Sequence, residues 1–303
     1  MAAGASVVGI PVDETLTGGH PTRGGRRFGL TWLGALPFFG YVGLFLLLPT
    51  TLVAVGAFAQ DGRPSLTNIR ALTQDYIVTS FVNSIVLSAA SALIGAVLGA
   101  LLAYAVATGR PDGLLRRMTV ALSGVLAQFG GVVLAFAFIA TIGGEGLVTI
   151  FLRDHDVNLD PLWLFQVRGL ILVYTYFQIP LMVLVFLPAL DGVRPQWREA
   201  TTTLGGTTWD YWRHVALPLL FPPFLGALLL LFANAFSAYA TAAALVTQGG
   251  IVAPLQIQNA MTSETALGQA NVGKAIALAM IVVVAIVMTA QAVVQRRSSK
   301  WLR

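Results

Sequence analysis

Residues 215–263, VALPLLFPPFLGALLLLFANAFSAYATAAALVTQGGIVAPLQIQNAMTS, carry no charged side chain and are long enough for two membrane-spanning helices. Their reading sets the parity of the chain's crossings, and hence the side of the bilayer on which every later loop lies. The first part, residues 221–246, is apolar and helix-like. The second is punctuated by Gln248-Gly249-Gly250 and Pro254, and the amides of Gln256, Gln258 and Asn259 would need partners in lipid. The stretch therefore reads as one span followed by an external loop or re-entrant turn.

Outward from this stretch, the same test finds five more spans. A crossing helix needs roughly 20 mainly apolar residues, and a charge at its centre costs about 2.5–3.5 kcal/mol on the insertion scale. Charge-poor runs at 31–59, 76–109, 118–144, 169–190 and 275–295 meet that requirement. The whole composition agrees, because the 303 residues are 56% hydrophobic and only 10% charged, with a mean hydropathy of +0.79. A water-soluble domain carries about 25% charged residues. The fold class expected is all-α and integral to the membrane, with six transmembrane helices.

Charge placement tests the parity. With six spans and both termini inside, Arg23, Arg26, Arg27, Arg110, Arg116, Arg117, Arg194, Arg198, Arg213, Arg296, Arg297, Lys300 and Arg303 fall on the inner side, 13 of the 18 basic residues. Arg63, Arg70, Arg153, Arg168 and Lys274 are left outside. A seventh span would expel the Arg296-Arg297-Ser298-Ser299-Lys300 cluster, against the positive-inside rule. The pI of about 9.9 is thus an orientation signal, which counts against a nucleic-acid partner. Residues 1–30, rich in Gly, Thr and Pro, read as a flexible cytoplasmic tail. The span domain covers 31–297, and 298–303 form a basic cytoplasmic tail. Ala57-Phe58-Ala59 mimics a signal-peptidase site, but the apolar run before it exceeds the ~7–15 residues of a signal core, so no cleavage is expected.

Several chemistries are excluded. There is no cysteine, and His20, His155 and His214 lack metal-ligand spacing. Inside the second span Ser84, Ser88, Ala92, Ala96 and Ala100 recur every four residues beside Ser91, Gly95, Gly99 and Ala103. Small residues so spaced let helices approach closely, within the chain or at a subunit interface. Polar side chains inside spans include Asn83, Gln128, Tyr174, Tyr176, Gln178, Asn234, Ser237, Tyr239 and Thr241. Tyr174 and Gln178 lie within one turn of the fourth span. Asn234, Ser237 and Thr241 recur at helical spacing in the fifth. Gln128, Tyr174, Gln178, Asn234, Ser237 and Thr241 are the candidates for a polar route, with interhelical hydrogen bonding as the alternative.

The loop between the fourth and fifth spans is the most informative segment. Pro195 suits a helix start, and Gly205-Gly206 supplies a left-handed turn to end that helix. Thr207 or Thr208 can cap a second short helix with Asp210 in its first turn. Trp209, Tyr211, Trp212 and His214 make this helix strongly aromatic, and Pro218 marks the bend into the fifth span. Such a unit offers a partner an aromatic, mixed-charge knob at the membrane surface.

The pattern Glu199-Ala200-x4-Gly205-x9-Val215-x-Leu217-Pro218 resembles the EAA loop of permease subunits in binding-protein-dependent type I ABC importers. Thr201 stands where the family usually has a second Ala, and Val215 where Ile is common. The resemblance runs from about residue 30 to 297. Leu36-Pro37, Leu48-Pro49, Gln128-Phe129-Gly130-Gly131, Tyr174-Thr175-Tyr176-Phe177-Gln178-Ile179-Pro180 and Asn234-Ala235-Phe236-Ser237-Ala238-Tyr239-Ala240-Thr241 look like the branch serving polyamines and related solutes. Sugar, phosphonate, iron and thiamine importers share the scaffold.

The resemblance implies a coupling helix between spans four and five. Glu199, Ala200, Gly205, Thr208, Trp209, Tyr211, Trp212, Leu217 and Pro218 would contact or shape the groove of a cytoplasmic ATPase, with Trp209–Trp212 filling it. It implies two such ATPase subunits, a second homologous permease and an extracytoplasmic binding protein, in a bacterial inner membrane. The external segments 60–75, 145–168 and 248–274 would meet the binding protein. No cofactor is expected on this chain, ATP and Mg belonging to the partner ATPase. The sequence has no GxxxxGK[ST] motif, so it reads as a non-enzyme. A stand-alone secondary carrier is the rival, but it would call for an intramembrane ionisable group or an inverted repeat, and neither is seen.

Overall fold

The protein was analysed as a computed structural model describing residues 31–60, 62–110, 112–157, 160–246, 251–262 and 270–299. The N-terminal tail at 1–30, the Gln248-Gly249-Gly250 turn and the end of the C-terminal tail lie outside the described residues. The chain divides into two compact units, Met1–Pro49 and Thr50–Arg303.

In the first unit α1 (Thr31–Val42) passes into a π-helical turn, Gly43–Leu47, and then into the start of α2 (Leu48–Ala57). The N–H of Leu48 bonds the carbonyl of Gly43. This widened turn stands just ahead of Pro49, whose ring and missing N–H disturb the regular ladder four residues back.

The second unit holds the rest of α2 and a short antiparallel hairpin, β1 (Ala59–Gln60) and β2 (Arg63–Pro64). It continues through α3 (Thr67–Ala71), the long α4 (Asp75–Ala107), α5 (Leu114–Gln128), α6 (Val132–Ile142) and α7 (Leu147–Arg153). A 3-10 turn, Trp163–Phe165, leads into α8 (Val167–Asp191), followed by α9 (Pro195–Thr203) and α10 (Thr208–Tyr211). A second π turn, Trp212–Ala216, opens α11 (Leu217–Ser237) just ahead of Pro218, repeating the arrangement before Pro49. The chain then forms α12 (Ala240–Leu245), α13 (Ala253–Thr262) and α14 (Ala270–Ser299).

Six described helical segments are long and apolar enough to cross a membrane: Leu36–Ala57, Asp75–Ala107, Val132–Arg153, Val167–Asp191, Thr208–Ser237 and Ala270–Arg296. The six-span, all-α reading therefore holds, with the two-residue strands as a minor addition. Its third and fifth spans need correction. The third, expected as one helix over 118–144, is broken at Phe129–Gly131, where Gly131 has φ +77°. The fifth, expected over 221–246, breaks at Ala238-Tyr239, where Ala238 is extended. After that break the chain forms α12 against α6, and α13 packs between α14 and α4.

The centre of the second unit is the α4–α8 pair. Gly95 and Gly99 permit it. A Cβ on Gly99 would stand 2.5 Å from the Met182 Cβ and 2.6 Å from the Ile179 carbonyl oxygen, and one on Gly95 2.4 Å from the Gln178 Cβ. The small-residue stripe of the second span thus serves packing within the chain, where close backbone approach replaces the hydrophobic drive that lipid removes. Ala92, Ala96 and Ala103 are buried in the same seam with Met182, Val183 and Phe186.

Candidate functional site

Two regions carry the functional candidates. The first is the loop between α8 and α11. Pro195 occupies the first turn of α9, where its missing N–H costs nothing. Gly205 has φ +78° and closes α9. The Gly206 N–H reaches the Thr201 carbonyl at 2.9 Å and the Gly205 N–H reaches that of Thr202 at 3.0 Å, the paired bonds of a glycine-terminated helix. Thr207 then caps α10. Its N–H donates to the Asp210 carboxylate at 2.8 Å, while the Asp210 N–H donates to the Thr207 hydroxyl at 3.3 Å.

This turn sets which side chains face outward. Glu199, Ala200, Gly205, Thr208, Leu217 and Pro218 are exposed, Leu204 is 88% and Trp209 70% exposed. Tyr211 and Trp212 are turned inward, correcting the expectation that Trp209–Trp212 act as one exposed aromatic block. Tyr211 is only 9% exposed, and the Trp212 ring meets Tyr104 of α4 edge-on at 5.4 Å. Tyr211, two positions from Trp209, falls on the opposite side of the helix, and Trp212, where the π turn begins, is held inward by its contact with Tyr104. The outward apolar pair is Leu204 and Trp209, and Leu204 was missed because it lies in the turn rather than in the aromatic run.

The second region is where the broken helices meet. The Gly131 N–H, freed by the break before α6, donates to the Thr241 hydroxyl at 2.9 Å. The Tyr174 hydroxyl donates to the Ala238 carbonyl at 2.8 Å, serving the broken end of α11. Gln178 donates through Nε2 to the Leu231 carbonyl at 2.7 Å, and its Oε1 has no partner among the described residues. In a membrane interior, freed backbone groups need such partners.

Half of the polar-route candidates make the interhelical hydrogen bonds that were the alternative reading. Tyr174, Gln178 and Thr241 are buried; Tyr174 and Thr241 hold the breaks in place, while Gln178 ties α8 to the middle of α11. Thr241 also leaves the face of Asn234 and Ser237, because the helix on which that face was drawn ends at Ser237. Gln128, Asn234 and Ser237 are exposed, as is Tyr239. The Ser237 hydroxyl bonds the Ala233 carbonyl at 2.9 Å, while the Asn234 amide has no hydrogen-bond partner among the described residues. Gly130-Gly131 signalled the first break in the sequence, but Ala238-Tyr239 carries no Gly or Pro to signal the second.

Comparison with known proteins gives this geometry a family. The binding-protein-dependent transport system inner membrane component family matches residues 95–300. A sulfate transport system permease protein of Synechocystis is 24% identical over 84% of this chain and 89% of its own length. A ferric transport system permease protein of Actinobacillus pleuropneumoniae is 26% identical over 62% of this chain, which spans only 27% of that relative. Neither is named for a polyamine, so the resemblance to the polyamine branch gains no support from them. Among solved structures, a subunit of a bacterial ABC transporter for import of the acidic polysaccharide alginate superposes with a TM-score of 0.71 at 16% identity, covering 89% of this chain and 95% of that one. That likeness carries the fold alone.

Proposed function

We propose, for a chain that belongs to the family of binding-protein-dependent transport system inner membrane components, that it forms half of a solute conduit driven by a separate ATPase. The chain is an ABC importer permease subunit and a multi-pass inner-membrane component. Beyond that, we read both termini as cytoplasmic, from the basic residues flanking the spans. The working complex then contains two ATPase subunits, a second homologous permease and an extracytoplasmic binding protein. The solute is proposed to be small and inorganic, of the ferric or oxyanion kind for which the relatives are named, and delivered by the binding protein.

The observation that carries this reading is the α9–α10 unit. The joint between its two helices is fixed by the Gly205 turn and the Thr207–Asp210 cap, and that joint presents Leu204 and Trp209 outward. A rigid apolar tip on a polar loop suits docking into a partner's groove, where a buried Trp is worth about 2 kcal/mol or more. Co-purification from detergent with the cytoplasmic ATPase tests it. Trp209→Ala should weaken ATPase retention by about thirtyfold or more while leaving the permease in the membrane. Retention equal to wild type, or no ATPase with either protein, would reject the coupling role. The solute is tested separately, by measuring whether sulfate, molybdate or ferric iron raises the melting temperature of the neighbouring binding protein.

A further inference from the structure

Two cavities adjoin at the α8–α11 loop end of the helix bundle, and they differ in chemistry. The larger, about 480 Å³, is an open groove between α4, α8 and the start of α11, lined by side chains such as Val97, Leu101, Phe186, Phe221 and Phe224. The smaller, about 280 Å³, lies beneath α9 and α10, where Arg194, Arg198, Thr108, Thr208 and Tyr211 contribute polar atoms. Tyr104, Leu190, Trp212 and Leu220 line both, so the edge-on Tyr104–Trp212 pair stands at the junction.

The charge is one-sided. No acidic residue lines the smaller cavity, and neither Arg194 nor Arg198 has an ion-pair partner among the described residues. Of the nearby carboxylates, Asp191 pairs with Arg116 and Asp210 accepts from the Thr207 N–H and hydroxyl, while Glu199, beside Arg198 in sequence, is exposed and does not line the cavity. The dimensions are also specific. From Val97 to Thr108 the α4 axis covers about 16 Å at the helical rise, close to the ~15 Å of one leaflet's hydrocarbon.

We propose that this composite cavity binds an anionic phospholipid, with an acyl chain in the apolar groove and the phosphate at Arg194 and Arg198. An apolar groove of leaflet depth ending in unpaired guanidinium groups complements such a lipid at both ends. Basic pockets between spans near a membrane face bind anionic headgroups in this way, and Tyr and Trp sit at the interface between the two environments. The lipid would occupy the wedge between the span bundle and α9–α10, so its presence would set how firmly the loop is held. The inference rests on the membrane-spanning fold and not on the docking of an ATPase.

The test uses the importer complex, purified with its partner subunits from nanodiscs of equal parts phosphatidylcholine and phosphatidylglycerol, with retained lipid measured by native mass spectrometry. Wild type should retain phosphatidylglycerol in preference to phosphatidylcholine. Arg194→Gln with Arg198→Gln should reduce that preference by about fivefold per arginine. Val97→Trp, which fills the groove, should lower retention of both lipids without altering the preference. An unchanged preference in the arginine variant, or unchanged retention in Val97→Trp, overturns the site. So does displacement of the lipid by soluble glycerol phosphate at the affinity of the lipid itself, because the groove would then contribute nothing. Preference seen only after the cytoplasmic partners are stripped away also overturns it.

Discussion

Gly205 offers a sharp test of the loop, because the structure separates its conformational role from its packing. Its φ of +78° lies in the left-handed region. A Cβ built there would meet nothing within 4 Å. Replacement by Ala therefore adds no clash, only the left-handed penalty of about 1–2 kcal/mol for a residue with a Cβ. That amounts to a factor of about 5–30 in the population of the turn. The alternative is to unwind the turn and surrender the Gly206-to-Thr201 and Gly205-to-Thr202 bonds. Asn tolerates the left-handed region better than Ala, so Gly205→Asn should fall between Ala and wild type. The assay is titration of the ATPase onto the detergent-purified permease pair, with ATP-driven uptake in proteoliposomes as a second readout. Gly205→Ala should weaken docking by about 5–30-fold. The neighbouring Gly206→Ala acts differently, since its Cβ would stand 2.8 Å from the Thr201 Cγ2. Wild-type affinity for Gly205→Ala, or Asn worse than Ala, would refute the claim that this backbone conformation orients the loop.

Other perturbations read the bundle and the route. Gly99→Val drives a side chain into the Met182 Cβ and the Ile179 carbonyl. It should destabilise the protein by about 1–3 kcal/mol, seen as a lower Tm in detergent; an unchanged Tm would show that α4 and α8 are not tightly apposed. Thr241→Val leaves the Gly131 N–H without its acceptor and should cost about 1–3 kcal/mol, whereas Thr241→Ser should restore stability. Equal losses in both would point to packing instead. Asn234→Leu should depress uptake while assembly, judged by size-exclusion and subunit stoichiometry, stays intact. Normal uptake in an assembled complex would remove Asn234 from the solute route.

The sequence by itself determined the membrane location, the six spans and the place of the coupling loop. These properties are local: hydropathy sums along a window, and the Pro195, Gly205 and Thr207–Asp210 signals act within a few residues of themselves. The same locality hid what holds the two helix breaks, and, for the one at Ala238-Tyr239, the break itself. A break in an apolar span is tolerated only where distant groups satisfy the freed backbone, and those partners lie far along the chain. Thr241 serves Gly131 from 110 residues away, and Tyr174 serves Ala238 from 64 residues away. Helical spacing consequently put Thr241 on a face with Asn234 and Ser237 that the folded chain does not possess. Tertiary structure also decided that Tyr211 and Trp212 pack inward while Trp209 faces out, because Tyr104 of α4 supplies the surface that Trp212 covers. Composition places a side chain in a span or a loop; only the packed neighbours decide whether it supports the bundle or meets what passes beside it.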